Sequence, residues 1–203
     1  MKEGMSLKEF ALELQKQNEI KQDYLVDTKS LQMEAYAGRP YLHLYDKGRE
    51  VVEPLEINRI AHRQIAAYLK IPADYYDKMQ EEQPELLAHN VNTWLPQASD
   101  KRMLRTLGGT ARAFLSSRYK RIDNMDVAAM AIPILSGIEG VRIESCQLTD
   151  RQMYIKAVNP RLEAEVVPGD IVQAGVIISN SEVGQGSVNI QPLVYRLVCS
   201  NGM

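Results

Sequence analysis

The chain has 203 residues, 45% apolar and 25% charged, which is room for one sizeable domain or two small ones and an ordinary soluble globular balance. No run approaches the roughly 20 apolar residues of a membrane helix, and MKEGMSLKEF lacks the apolar segment of a signal peptide, so the expected location is the cytoplasm. The net charge of -2 hides an asymmetry: residues 1–100 hold 12 Lys and Arg against 17 Asp and Glu, and residues 101–203 hold 12 against 9.

Residues 6–18, SLKEFALELQKQN, place Leu7, Phe10, Ala11 and Leu14 on one helical face behind Ser6, with Glu9 completing a capping box. LQMEAYA (31–37) and YLHLYDKGREVVEPL (41–55) read as extended, the latter a hairpin about Asp46, Lys47 and Gly48. His43 alternates with Leu42 and Leu44 and has no acid or second histidine beside it in sequence, so it reads as a strand-surface residue. In residues 56–95 the spacing of Ile57, Ile60, Ala61, Ile65, Tyr68 and Leu69 marks a helix that Ile71-Pro72 ends. A second helix follows Pro72, with Tyr75, Tyr76 and Met79 packing it on the first. A third, PELLAHNVNTWL, is expected to stop at Pro96 and to bury Trp94. The first two outline a helix-turn-helix, but PADYYDKMQEEQ presents Asp74, Asp77, Glu81 and Glu82 against one lysine, a surface that DNA repels.

QASDK (97–101) is polar and reads as the boundary between a mostly helical region with a small hairpin, 1–98, and a sheet-plus-helix region, 99–203. Arg102–Leu107 and Ala111–Ser116 read as strands around Gly108-Gly109. Asp123 caps a helix that Pro133 should kink or shorten and Gly137 ends. Four strands follow: VRIESCQLTD and RQMYIKAVN as a hairpin about Asp150-Arg151, then GDIVQAGVIISNSE and GSVNIQPLVYRLVCS. The fold class is α+β, a helical N-terminal half packed on an antiparallel β-meander with one main helix. Asn201-Gly202, the strongest hairpin dipeptide, suggests a strand that would return beyond Met203.

The chemical motifs are weak. LRTLGGTARAF lacks the lysine and following helix of a phosphate loop, and EVGQGSVN lacks the third glycine of a dinucleotide site. His43, His62 and His89 lie on separate elements, and Asp123 and Asp126, one helical turn apart, are better read as caps than as cation ligands. An acid two residues before Lys156, which a metal nuclease of the D…ExK type requires, is replaced by Tyr154, and Ser116 and Ser117 have no histidine in their segment. Cys146 and Cys199 are isolated and read as buried small hydrophobes. The reading therefore names no catalytic residue, no metal ligand and no cofactor, and leans away from an enzyme.

The remaining signal is a run of seven bases without an acid between positions 101 and 121. Arg102, Arg105, Arg112, Arg118, Lys120 and Arg121 could hold phosphates, and Phe114 and Tyr119 could stack on unpaired bases, the combination single-strand binders use. On an alternating strand Arg112, Phe114 and Ser116 would share one face, opposite Ala111, Ala113 and Leu115.

RTLGGTARAFLSSRYKRIDNMDV, the upstream IAAYLKIPADYYDKMQEEQPELLAHNVNTWL and the terminal VYRLVCSNGM resemble the phage- and plasmid-encoded family called domain of unknown function 932, over roughly residues 55–203. The resemblance implies a mobile-element origin and a chain that runs on past the Asn-Gly; it implies no activity and no functional residue. The expectation is thus a non-enzymatic nucleic-acid-binding protein of a phage or plasmid, with single-stranded DNA the favoured partner, similar to annealing proteins of recombination. The alternative is an interaction module that inhibits or decoys a host defence factor through the acidic residues 74–85. A homo-oligomer is compatible with either.

Overall fold

A computed structural model describes residues 4–167 and 170–196. Those residues form a mixed α+β protein of five α-helices and eleven strands in two sheets. The chain divides into two compact units, one of Met1–Asn18 with Arg121–Met203 and one of Glu19–Lys120. Each has its own apolar cluster.

The Glu19–Lys120 unit is built on a seven-stranded sheet. Its strands are β1 (Lys21–Asp27), β2 (Leu31–Tyr36), β3 (Arg39–Asp46), β4 (Arg49–Glu50), β5 (Leu55–Ile57), β6 (Lys101–Leu107) and β7 (Thr110–Ser116). The order is β1-β6-β7-β5-β3-β2, with β4 pairing β3 beside this path; β5 and β7 are parallel and every other pair is antiparallel. The hairpin turns follow the local chemistry. Lys47-Gly48 has both φ angles positive (48° and 79°), which matches the twist of its strands and falls where the sequence predicts a turn. Ala37-Gly38 (49° and 75°) closes β2 onto β3 in the same way, a turn the sequence reading passes over because alanine rarely adopts this conformation.

Three helices, α2 (Arg59–Tyr68), α3 (Ala73–Glu82) and α4 (Pro84–Ala98), cover one face of this sheet. Ile65, Tyr76, Met79, Leu87, Val91 and Leu95 meet Met33, Leu42, Leu104 and Phe114 in one cluster. Asn58 caps α2 by accepting from the Ala61 N–H at 2.9 Å. Asn92 on α4 locks β2 through its side chain, accepting from the Met33 N–H at 2.7 Å and donating to the Met33 carbonyl at 2.8 Å.

The N-terminal half is helical in part but also carries most of a sheet: β1 to β5 all fall before residue 98. The segment Lys21–Asp27 escapes a pattern reading because β1 is an edge strand with only Val26 buried, so it carries too few apolar residues to alternate visibly. The stretch 97–101 is no boundary in this division either. It is the turn from α4 into β6, tied down by the Thr28 N–H donating to the Asp100 carbonyl at 3.0 Å. α4 also continues past Pro96 to Ala98, ending at Ser99 with φ 37°; so near its end the proline forfeits one donor without breaking the helix. Trp94 is 48% exposed, because the stripe of Leu87, Ala88, Val91 and Leu95 meets the sheet and Trp94 lies at its flank. Tyr75 is exposed likewise, while Tyr76 and Met79 pack as expected.

The other unit holds α1 (Leu7–Ile20) up to Asn18, α5 (Asn124–Gly137) and the strands β8 (Arg142–Leu148), β9 (Met153–Glu165), β10 (Ile171–Asn180) and β11 (Asn189–Arg196). The four strands form the expected antiparallel meander, in the order β11-β10-β9-β8. Phe10 and Leu14 of α1 and Val127, Ala128 and Leu135 of α5 share a core with Cys146, Met153, Ile155 and Ile178 of the sheet. The capping box is present: the Ser6 N–H donates to Glu9 Oε2 at 2.9 Å and the Glu9 N–H to Ser6 Oγ at 3.3 Å. Gly175 sits where a Cβ would lie 2.4 Å from the Ala157 carbonyl oxygen, so β9 and β10 approach there only because the side chain is absent. Asp123 stands at the N-cap of α5 but makes no side-chain capping bond; the Asn124 N–H donates to Glu182 Oε1 at 2.6 Å instead. Pro133 lies inside α5, which runs unbroken to Gly137. Cys199 and Asn201-Gly202 lie outside the described residues.

Candidate functional site

The basic run splits according to which way each strand residue points. β6 pairs with β7 so that Leu104 faces Phe114 and Arg105 faces Ala113, but the register shifts at Arg105/Thr106, where Thr106 pairs Ala111. Arg112 is the extra residue of this bulge. Two residues rather than one then separate Ala111 from Phe114, and both enter the helix-covered core. The strict alternation that would put Arg112 and Phe114 on one face is thereby broken.

Arg105 is 0% exposed. It faces away from the helices and grips Asp23 on β1 with two bonds, Nε to Oδ1 at 2.7 Å and Nη2 to Oδ2 at 3.1 Å. Arg112 is 8% exposed. Arg102 is half-buried on the helix side, its Cζ 4.4 Å from the Tyr68 ring centroid and 5.0 Å from that of Phe114. Its Nη1 lies 4.0 Å from Asp100, and its Nε makes no hydrogen bond. Burial lowers the Arg102 pKa, and Tyr68 and Asp100 pull the other way. Phe114 is 1% exposed and packs edge-on against Tyr68 at 5.4 Å, so its ring offers no face for a base. Three of the six candidate cations and one of the two candidate rings are thus committed to the fold.

The rest of the run is at the surface. After β7 the chain turns over Ser116, whose carbonyl accepts from the Tyr119 N–H at 3.0 Å and whose Oγ accepts from the Arg118 N–H at 3.3 Å. This turn exposes Arg118 and Lys120 on either side of the half-buried Tyr119. Lys101 is exposed too, and because Arg102 pairs with Ser116 it begins β6 beside this turn. Among the described residues the side chains of Lys101, Arg118 and Lys120 meet no carboxylate within ion-pair range. Arg121 is exposed and opens the other unit. Lys101 belongs to the acid-free run but not to the six candidate phosphate contacts; strand register is what brings it to the turn.

Among the described residues no three His, Cys, Asp or Glu side chains group as metal ligands. His62 on α2 is buried, with Nδ1 2.9 Å from the Tyr76 hydroxyl; burial pulls its pKa down to about 4 against a smaller opposing effect of Asp77. Burial also raises the Tyr76 pKa, so both groups are neutral at pH 7 and act as a polar tie between α2 and α3. Burial pushes the Cys146 thiol up to about 11, which leaves it protonated and unreactive, as a small core residue. His43 does lie on a strand, but pairing brings it two acids that its sequence neighbourhood does not show: Glu50 Oε1 is 2.6 Å from Nδ1 and Glu34 Oε2 is 3.7 Å from Nε2. On α3, Asp74, Glu81 and Glu82 are exposed, Glu82 lies 3.9 Å from Lys78, and Asp77 is paired with Arg63 of α2. No helix among the described residues is long and apolar enough to cross a membrane.

These features define a class: an α+β protein of two compact units in which the turn after β7 exposes Arg118 and Lys120 of the 101–121 run. Residues 112–203 match the family described as Domain of unknown function (DUF932). The match starts at the bulge residue of β7 and takes in α5 and the whole meander. No curated protein and no solved structure matches the chain.

Proposed function

We propose that the protein binds single-stranded nucleic acid, without chemistry, through Lys101, Arg118, Tyr119 and Lys120. The observation that carries this reading is the set of unpaired cations, Lys101, Arg118 and Lys120, at one end of the β6-β7 hairpin, flanking an aromatic side chain. Arg and Lys held apart from carboxylates keep their full charge for phosphates, and a tyrosine beside them can stack on a base. Arg105 and Arg102 have the supporting role of tying β6 to β1 through Asp23 and to β7 through the Phe114 carbonyl, so that the turn is presented.

The test is fluorescence anisotropy with a labelled oligo-deoxythymidine across a salt series. Binding at low salt that weakens as salt rises, and that drops in the Arg118→Gln/Lys120→Gln variant, supports the reading. No binding at low salt, or binding indifferent to that double change, overturns it. A second reading, docking of a basic protein partner, is favoured by Asp74 and Glu81, which are exposed on α3 and form no ion pair among the described residues. A partner whose capture is lost on Asp74→Asn/Glu81→Gln but kept in Arg118→Gln/Lys120→Gln would establish it.

A further inference from the structure

The face of the seven-stranded sheet opposite the helices carries a second, unrelated feature. On β2 and β3 the core takes Met33, Leu42 and Leu44, so Glu34, Tyr36, Tyr41, His43 and Tyr45 point the other way. Register makes Glu34 and Tyr41 direct cross-strand partners and sets His43 opposite Gln32. Glu34, Tyr36, Tyr41, His43 and Pro54 line a cavity of about 410 Å³. That volume lies in the range of roughly 300–1,000 Å³ typical of small-ligand sites.

The composition of this wall is one-sided. It offers two phenol rings, an imidazole, a proline and a carboxylate, with no lysine or arginine among them. His43 is held by Glu50 at 2.6 Å and stacks on Tyr45 with ring centroids 6.2 Å apart and planes 10° from parallel. Glu34 and Glu50 therefore bracket one aromatic stack. Their negative field is felt at Tyr45, whose pKa is raised first by burial and then by these two charges. Tyr36 is 76% exposed, so its ring is open to a ligand from solvent. Arg39, opposite Tyr36, and Arg49 on β4 are the nearest cations in register, and neither forms an ion pair among the described residues. Glu34 Oε2 lies 3.7 Å from His43 Nε2 and forms no ion pair with a lysine or arginine among the described residues.

Aromatic faces attract cations through their quadrupole, and a carboxylate at the rim adds Coulomb attraction; an anion or a phosphate chain would meet Glu34, Glu50 and Glu56 instead. We infer that this cavity binds an alkylammonium group, a quaternary or methylated amine, with Tyr36, Tyr41 and His43 against its methyl groups and Glu34 supplying the counter-charge. The group could arrive on a free small molecule or on a methylated lysine side chain. The site is independent of the nucleic-acid turn and stands whether or not that reading holds.

Choline and its neutral isostere 3,3-dimethylbutan-1-ol are titrated into the full chain, with binding read from the tyrosine ring resonances by NMR. Choline should perturb Tyr36 and Tyr41, and the isostere should bind about tenfold more weakly. Tyr36→Ala and Glu34→Gln, both at exposed positions, should each weaken choline about fivefold while leaving the rest of the spectrum in place. A trimethyllysine peptide that binds tighter than choline identifies a protein side chain as the source, and equal binding identifies a free amine. Equal affinity for choline and the alcohol, no perturbation of either ring, or variants that bind as the parent does overturn the inference.

Discussion

Arg105 and Arg118 belong to one acid-free run, yet the fold uses them in opposite ways. Arg105 lies on a central strand, fully enclosed, with both arms of its guanidinium on Asp23. Arg118 lies in the turn where that hairpin ends, exposed and without a carboxylate. The charge pattern of the sequence weighs the two equally; free energy does not. A buried guanidinium must be paired to be tolerated at all, so its charge is spent inside the fold, whereas an exposed one remains available to a ligand. The run is therefore half architecture and half candidate site, and the two halves should respond oppositely to mutation.

The largest effect is expected at the buried pair. Arg105→Met removes the partner of Asp23, which is itself only 12% exposed, and should cost about 3–5 kcal/mol of unfolding free energy in urea melts. The double change Asp23→Asn/Arg105→Met should recover part of that loss, because neither member of the pair is then left charged without the other. A loss under about 1 kcal/mol for the single variant would place Arg105 with the surface cations and erase the contrast.

His62 extends the same opposition between burial and charge to a group that can shed its proton. Its folded pKa, about 4, lies below the ordinary 6.5, so below pH 6.5 the unfolded chain binds a proton that the folded chain refuses. Stability from this group is full above pH 6.5 and is lost as pH falls towards 4, by roughly 3 kcal/mol in all at 1.36 kcal/mol per unit. Urea melts between pH 7 and 4 on the parent and on His62→Gln should differ in slope by this component. Parallel slopes would mean that the imidazole takes up its proton in place.

Arg102 falls between the extremes. Half-buried over Tyr68 and Phe114, it contributes ring contact and the packing of its stem, so Arg102→Ala should cost about 1–2 kcal/mol in the same melts. Arg102→Lys should recover little of it, because a compact ammonium cannot lie flat against two rings. A full recovery would show that charge, not shape, is what the site requires.

The sequence carries the architecture unevenly, for physical reasons. The meander, α5 and the Ser6–Glu9 capping box are legible because long alternating strands and local caps write themselves into neighbouring residues. The strand β1 and the Ala37-Gly38 turn are not, since an edge strand need not be apolar and alanine gives no sign of a positive φ. At the candidate site the location of the cations is legible and their burial is not. The bulge at Arg112, which changes the face of Phe114, is a property of pairing between two strands and has no signature in either alone. The acids that reach His43 are hidden for the same reason: Glu34 and Glu50 lie nine and seven positions away and meet it only across strands.

The smallest effect on stability, and the most telling for function, belongs to the turn. Arg118→Gln and Lys120→Gln remove exposed charges that hold nothing within the fold, so each should leave unfolding free energy within about 0.5 kcal/mol of the parent. If these cations neutralise phosphates, each lost contact should reduce the slope of log affinity against log salt by about 0.7 on single-stranded DNA. The pair should then lower it by about 1.4 while the urea midpoint stays fixed. Arg105→Met must do the reverse under conditions where it remains folded, losing stability and keeping the salt slope. A variant of the turn that changes the midpoint but not the slope would show that Arg118 and Lys120 serve the fold as Arg105 does, and the division of the run into two halves would fail at its exposed end.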